Sequence, residues 1–174
     1  NKHWLNKNIT TMDAQKIKIL LVDDRPENLD FLCEILIDEG YEVEIAISGQ
    51  QALNAANTSL PDLILLDILM PEMDGYEVCQ HLKANSKTQD IPLIFLSAIN
   101  ELSDKIKAFK LGVTDYITKP LHPEEVLVRV ENQITIQRLQ KQLKVQNAQL
   151  LWEIQERQRI YVKLNTSNTE KEFI

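Results

Sequence analysis

Apolar and polar positions along the chain alternate between two periods, and the alternation repeats five times. Leu63-Ile64-Leu65-Leu66 is an unbroken apolar run that ends in Asp67, between Pro61 and Pro71. A run this short, flanked by breakers, predicts a strand buried on both faces. Ile17 to Val22 reads the same way and ends in Asp23-Asp24. Ile91 to Leu96 predicts a fourth strand ending at Ser97, and Val113 to Thr118 a fifth ending at Lys119-Pro120. Between Tyr41 and Ile47 apolar residues alternate with Glu42 and Glu44, which predicts a half-exposed strand at or near a sheet edge.

Helical spacing fills the gaps. Leu29, Leu32, Cys33, Leu36 and Ile37 recur at three and four. Pro26 suits the first turn of that helix and Asp24 its cap, and Gly40 ends it. Ser48 caps a short helix. Asp74 and Glu77 have capping-box spacing before Tyr76, Val78, Cys79 and Leu82. Another helix is expected from Glu101 to Lys110, closed by Gly112, and one more opens at Pro123 near His122. Strict alternation of strand and helix predicts a doubly wound, flavodoxin-like α/β fold with a five-stranded parallel sheet in the order 2-1-3-4-5.

That topology gathers chemistry on one edge. Asp23, Asp24, Asp67, Ser97 and Lys119 all stand at carboxyl ends of strands, where open α/β sheets bind ligands. Asp67 alone could equally be a turn residue. Together, three carboxylates repel unless a cation neutralises them, and an all-oxygen donor set suits a hard ion such as Mg2+. A carboxylate can also attack phosphorus. No Ser-His-Asp set, Walker loop or glycine-rich dinucleotide turn is present, and His122 is expected in a solvated loop.

With those residues in place, the chain from Lys16 to Gln133 resembles the receiver domain of two-component response regulators. The resemblance rests on Val22-Asp23-Asp24, on Leu65-Leu66-Asp67-Ile68-Leu69-Met70-Pro71-Glu72-Met73-Asp74-Gly75, on Ser97-Ala98, and on Gly112 through Asp115-Tyr116-Ile117-Thr118-Lys119-Pro120. It covers about two thirds of the chain. It implies that Asp67 is the phosphoacceptor, taking a phosphoryl group from a histidine kinase or phosphotransfer protein. It implies that Asp23, Asp24, Asp67 and the backbone carbonyl of Leu69 bind Mg2+. Ser97 and Lys119 would contact the phosphoryl group, Tyr116 would be the switch aromatic, and the bond before Pro120 would be cis. Leu69 and Ile99 flank the expected path of a hydrolytic water, and their apolar side chains predict a long-lived phosphate.

The 174 residues include 44% hydrophobic and 26% charged residues and carry a formal charge of −7. The acidic balance argues against non-specific nucleic-acid binding, and no apolar run is long enough to cross a membrane. Cys33 and Cys79 lie among apolar neighbours and are expected as buried free thiols in a reducing cytoplasm. Residues 1–15 are polar and read as a flexible leader.

From 134 to 164 no Gly or Pro interrupts a run of helix formers. Ile136, Leu139, Leu143, Asn147, Leu150, Ile154, Arg157, Tyr161 and Leu164 keep three-four spacing with one stutter, which predicts a parallel two-stranded coiled coil. Residues 165–174 read as a frayed polar tail. The segment from Leu151 to Arg159 resembles linkers of multidomain bacterial signalling proteins. That implies a larger protein whose output is a sensory, histidine-kinase or nucleotide-cyclase module, and a homodimer through the fourth helix, fifth strand, fifth helix and coil. A scaffold whose phosphorylation is incidental is the alternative. A phosphatase is disfavoured because Leu69 stands where such enzymes carry a second carboxylate.

Overall fold

A computed structural model describes residues 16–98 and 102–171. The strands are β1 (Lys18–Val22), β2 (Glu42–Ala46), β3 (Leu63–Asp67), β4 (Leu93–Ser97) and β5 (Asp115–Thr118). The helices are α1 (Pro26–Asp38), α2 (Gly49–Ser59), α3 (Gly75–Ala84), α4 (Leu102–Lys110) and α5 (Pro123–Lys171). All pairings are parallel, in the order β2-β1-β3-β4-β5. This is the flavodoxin-like sheet that the alternation predicts. The leader lies outside the described residues, as does Ile99.

Side chains alternate between sheet faces, and both faces are covered. Leu20, Val22, Ile64, Leu66, Phe95 and Tyr116 form one core with Ala52 and Ala56 of α2, Val78, Cys79 and Leu82 of α3, and Ala108 of α4. The intervening residues Ile19, Leu21, Leu65, Ile94 and Ile117 are fully buried too, and α1 offers Leu29, Leu32 and Leu36 as buried positions. A central strand buried on both faces must be apolar throughout, which is why β3 reads as a continuous run. The chain divides after Gln133 into two compact units.

Local expectations hold or fail for physical reasons. Ser48 Oγ accepts from Gln51 N, and Asp74 and Glu77 form a full capping box. Asp24 does not cap α1. Arg25 occupies that position without any side-chain cap, because Asp23 takes the local donors instead. β4 begins at Leu93, since Pro92 has no N–H to pair. On the edge strand β2 the apolar Ile45 remains 47% exposed. Cys79 is buried, but Cys33 is only half-buried; both are free thiols whose pKa burial raises. The tail is not frayed through 165–171, for α5 continues to Lys171. Extending an existing helix costs far less than starting one, and Thr166 turns its hydroxyl back onto the carbonyls of Val162 and Lys163 at 3.1 and 3.0 Å.

Candidate functional site

β1 and β3 are neighbours, with Val22 paired to Leu66. The residues that follow in each strand are therefore brought side by side. Asp23, Asp24 and Asp67 offer carboxylate oxygens that all lie within 4.8 Å of one another. Asp23 is fully buried, Asp67 is buried, and Asp24 is exposed. Lys119, just past β5, bridges two of them. Its Nζ donates to Asp67 Oδ1 at 3.0 Å and to Asp23 Oδ2 at 3.2 Å.

Burial pushes the Asp67 carboxyl above the usual carboxylate range. The hydrogen bond from Lys119 opposes that rise, and the charges of Asp23 and Asp24 add to it. Three carboxylates and one ammonium leave roughly two negative charges uncompensated when all are ionised. An all-oxygen set with that deficit fits a divalent hard cation.

The β3–α3 loop holds Asp67 in place. Gly75 N donates to Ile68 O at 2.8 Å. A Cβ on Gly75 would lie 2.5 Å from the Asp67 carbonyl oxygen and 2.8 Å from Ile68 Cα. Only glycine lets α3 start so close to the strand end. Gly75 stood in the sequence motif, but its packing role was not apparent there; the Asp-Gly step was the available signal. Asn28 is a second residue that sequence reasoning missed. Its Nδ2 donates to Asp23 Oδ2 at 2.9 Å, and nothing in the spacing singled it out.

The remaining expected residues are placed as follows. Ser97 is fully buried at the end of β4, one residue beyond the partner of Asp67. Its carbonyl accepts from Lys119 N at 2.7 Å. Tyr116 is 6% exposed and packs in the core, with Lys105 Nζ 5.5 Å from its ring centroid. Leu69 is 58% exposed in the loop after Asp67. The Lys119–Pro120 bond is cis. His122 is exposed.

Fold and site define a flavodoxin-like α/β domain with an acidic pocket, bridged by one lysine, at the carboxyl edge of its sheet. Comparison with known proteins assigns the class. The family model for the response regulator receiver domain matches residues 19–131. The chain belongs to that family.

Among curated relatives, the DNA-binding dual master transcriptional regulator RpaA of a Synechocystis species is 42% identical over 113 residues, covering 65% of this chain and 47% of RpaA. The response regulator PleD of Caulobacter vibrioides is 40% identical over 115 residues, covering 66% of this chain and 25% of PleD. The match thus spans about half the length of RpaA and a quarter of that of PleD. Among solved structures, a putative response regulator from Chloroflexus aurantiacus superposes with a TM-score of 0.67 at 36% identity, covering 70% of this chain and 99% of that one. The chemotaxis protein CheY4 of Vibrio cholerae gives 0.65 at 31% identity, covering 67% and 98%.

Proposed function

We propose that the chain is the phosphoacceptor receiver of a two-component phosphorelay, with Asp67 as the acceptor. The observation that carries this reading is the buried Asp67 carboxylate held by Lys119 beside two further carboxylates. An Asp67 oxygen attacks the phosphorus of a phosphohistidine on a kinase or phosphotransfer protein. A P–O bond forms as the P–N bond breaks, and the departing imidazole takes up a proton. Asp23, Asp24, Asp67 and the Leu69 carbonyl would hold Mg2+, which when bound neutralises charge on the phosphoryl oxygens. Lys119 is already within hydrogen-bond reach of Asp67 and pairs next with a phosphoryl oxygen. Ser97 supplies the hydroxyl for that group. Tyr116 follows Ser97 as the switch aromatic.

The apolar, exposed Leu69 side chain offers no group to orient water, so the acyl phosphate is long-lived. A label lost as fast as it is gained would contradict that. We further propose a homodimer through α4, β5, α5 and the helical segment from residue 134 onward. Leu139, Leu143, Leu150 and Ile154 are each more than half exposed there, which is costly for a helix without a partner. The output module belongs to a larger protein. RpaA is a DNA-binding regulator, so such an output is one choice beside a kinase, cyclase or sensory module. For these 174 residues the net charge of −7 supports a reading without nucleic acid contact. No described helix is long and apolar enough to cross a membrane, in keeping with a cytoplasmic setting.

Phosphoramidate, a small P–N phosphodonor, tests the chemistry. The protein should take up label in the presence of Mg2+, and hydroxylamine should release it as expected of an acyl phosphate. Label stable to hydroxylamine, or none at all, would contradict the reading.

A further inference from the structure

Both oxygens of Asp23 are occupied by donors from this chain. Oδ1 accepts from Arg25 N at 2.9 Å. Oδ2 accepts from Lys119 Nζ at 3.2 Å and from Asn28 Nδ2 at 2.9 Å. A carboxylate offers about four lone-pair directions, so roughly one is left for a further partner. Which direction that is depends on the three donors, because the carboxylate cannot rotate without breaking them.

The three donors differ in permanence. Lys119 also serves Asp67 and, on the reading above, turns to the phosphoryl group. Arg25 N is backbone and fixed by the start of α1. Asn28 is the one side-chain donor to Asp23 with no other hydrogen-bond partner for its side chain among the described residues. It stands in the first turn of α1, where its own N–H is already bonded to Arg25 O at 3.2 Å. The cap position belongs to Arg25, so the Asn28 side chain is not the helix cap. Asparagine is a mediocre helix former, and here its side chain goes to a fully buried carboxylate.

We propose that Asn28 is a positioning residue for the acidic pocket, holding the Asp23 carboxylate in the orientation from which it binds a divalent cation. The role rests on the receiver reading and adds to it a residue from α1. Donors that orient metal-binding carboxylates are worth on the order of tenfold or more in metal affinity.

Calorimetric titration of Mg2+ into the full chain tests the proposal, alongside the phosphorylation rate across a Mg2+ series. Asn28→Ala should bind Mg2+ about tenfold more weakly. Its rate at saturating Mg2+ should stay close to that of the unaltered protein. Asn28→His keeps an N–H donor at the same bond separation from the backbone and should recover most of the affinity. Unchanged Mg2+ affinity in Asn28→Ala would overturn the assignment. So would a fall in the saturating rate alone, or an Asn28→His variant no better than Asn28→Ala. If the unaltered protein binds Mg2+ and takes up phosphate while Asn28→Ala binds equally well, only the role of Asn28 falls. If the unaltered protein takes up no phosphate, the receiver reading falls, and this proposal with it.

Discussion

The strand-end pocket and the distal half of α5 solve opposite problems. In the pocket, residues from three distant stretches meet: Asp23, Asp67 and Lys119 are joined by hydrogen bonds of 3.0 and 3.2 Å. Asp23 alone accepts three donors. The distal helix is different. Leu143, Leu150, Leu151, Trp152 and Ile160 are each at least half exposed. The pocket engages Asp23 and Asp67 with donors from its own chain and keeps a charge deficit that suits a cation. The helix leaves apolar groups exposed to water, which suits the proposed homodimer. The receiver unit holds its own core, and the helical unit is where a partner is proposed.

The largest expected effect breaks the second half of this contrast. Each Leu removed from water is worth about 1.5–3 kcal/mol. Leu150→Glu should therefore weaken self-association by roughly ten- to a hundredfold. Sedimentation equilibrium would show a shift towards monomer. Thermal unfolding of the receiver unit should be unaffected, and a protein that is monomeric to begin with would remove the coiled-coil reading.

A smaller effect should come from the pocket side. Gly75→Ala places a methyl 2.5 Å from the Asp67 carbonyl oxygen. Overpacking against backbone of this kind costs about 2 kcal/mol, measurable by urea unfolding. A variant as stable as the parent would mean that α3 can retreat from the strand end.

The smallest effect concerns charge. Burial holds the Asp67 carboxyl above the usual range. A raised folded-state value means that the folded protein binds this proton more tightly. That contribution is present at low pH and is lost as pH rises from the ordinary carboxylate value through the folded one. At neutral pH the buried charge is a cost. Without Mg2+, Asp67→Asn should stabilise the fold at neutral pH, with the gap closing as pH falls through the carboxylate range. Mg2+ should narrow the gap at neutral pH by stabilising the parent. Thermal melts over a pH series decide it. A variant less stable than the parent at neutral pH without Mg2+ would refute the electrostatic account.

The sequence made the same contrast partly legible. Strand ends were readable because a strand buried on both faces admits only apolar residues, so the first polar residue marks its edge. Asp23, Asp67 and Ser97 follow from that rule; Lys119 does not, because it stands one residue beyond the polar Thr118 of the edge strand β5. Right-handed crossovers are the default for such connections, and the order 2-1-3-4-5 is the common solution for five alternating strands. Asn28 and Gly75 were not legible as site residues. One acts by a side-chain bond across five positions, and the other by the absence of a Cβ where a helix meets a strand. Neither leaves a period in the chain. The cap of α1 was misassigned because Asp24 is a favoured cap type, whereas Arg25 holds that position without a side-chain cap. The end of α5 was placed too early because Asn165, Thr166 and Ser167 favour caps and turns, a weak preference set against an already formed helix.

The proposed function turns on phosphoryl transfer to Asp67. Intact-mass measurement after incubation with acetyl phosphate and Mg2+ reads that transfer, with Asp67→Asn as the control. One added phosphoryl group is expected on the unaltered protein and none on the variant. No gain by the folded, unaltered protein, or an equal gain by both, would contradict it.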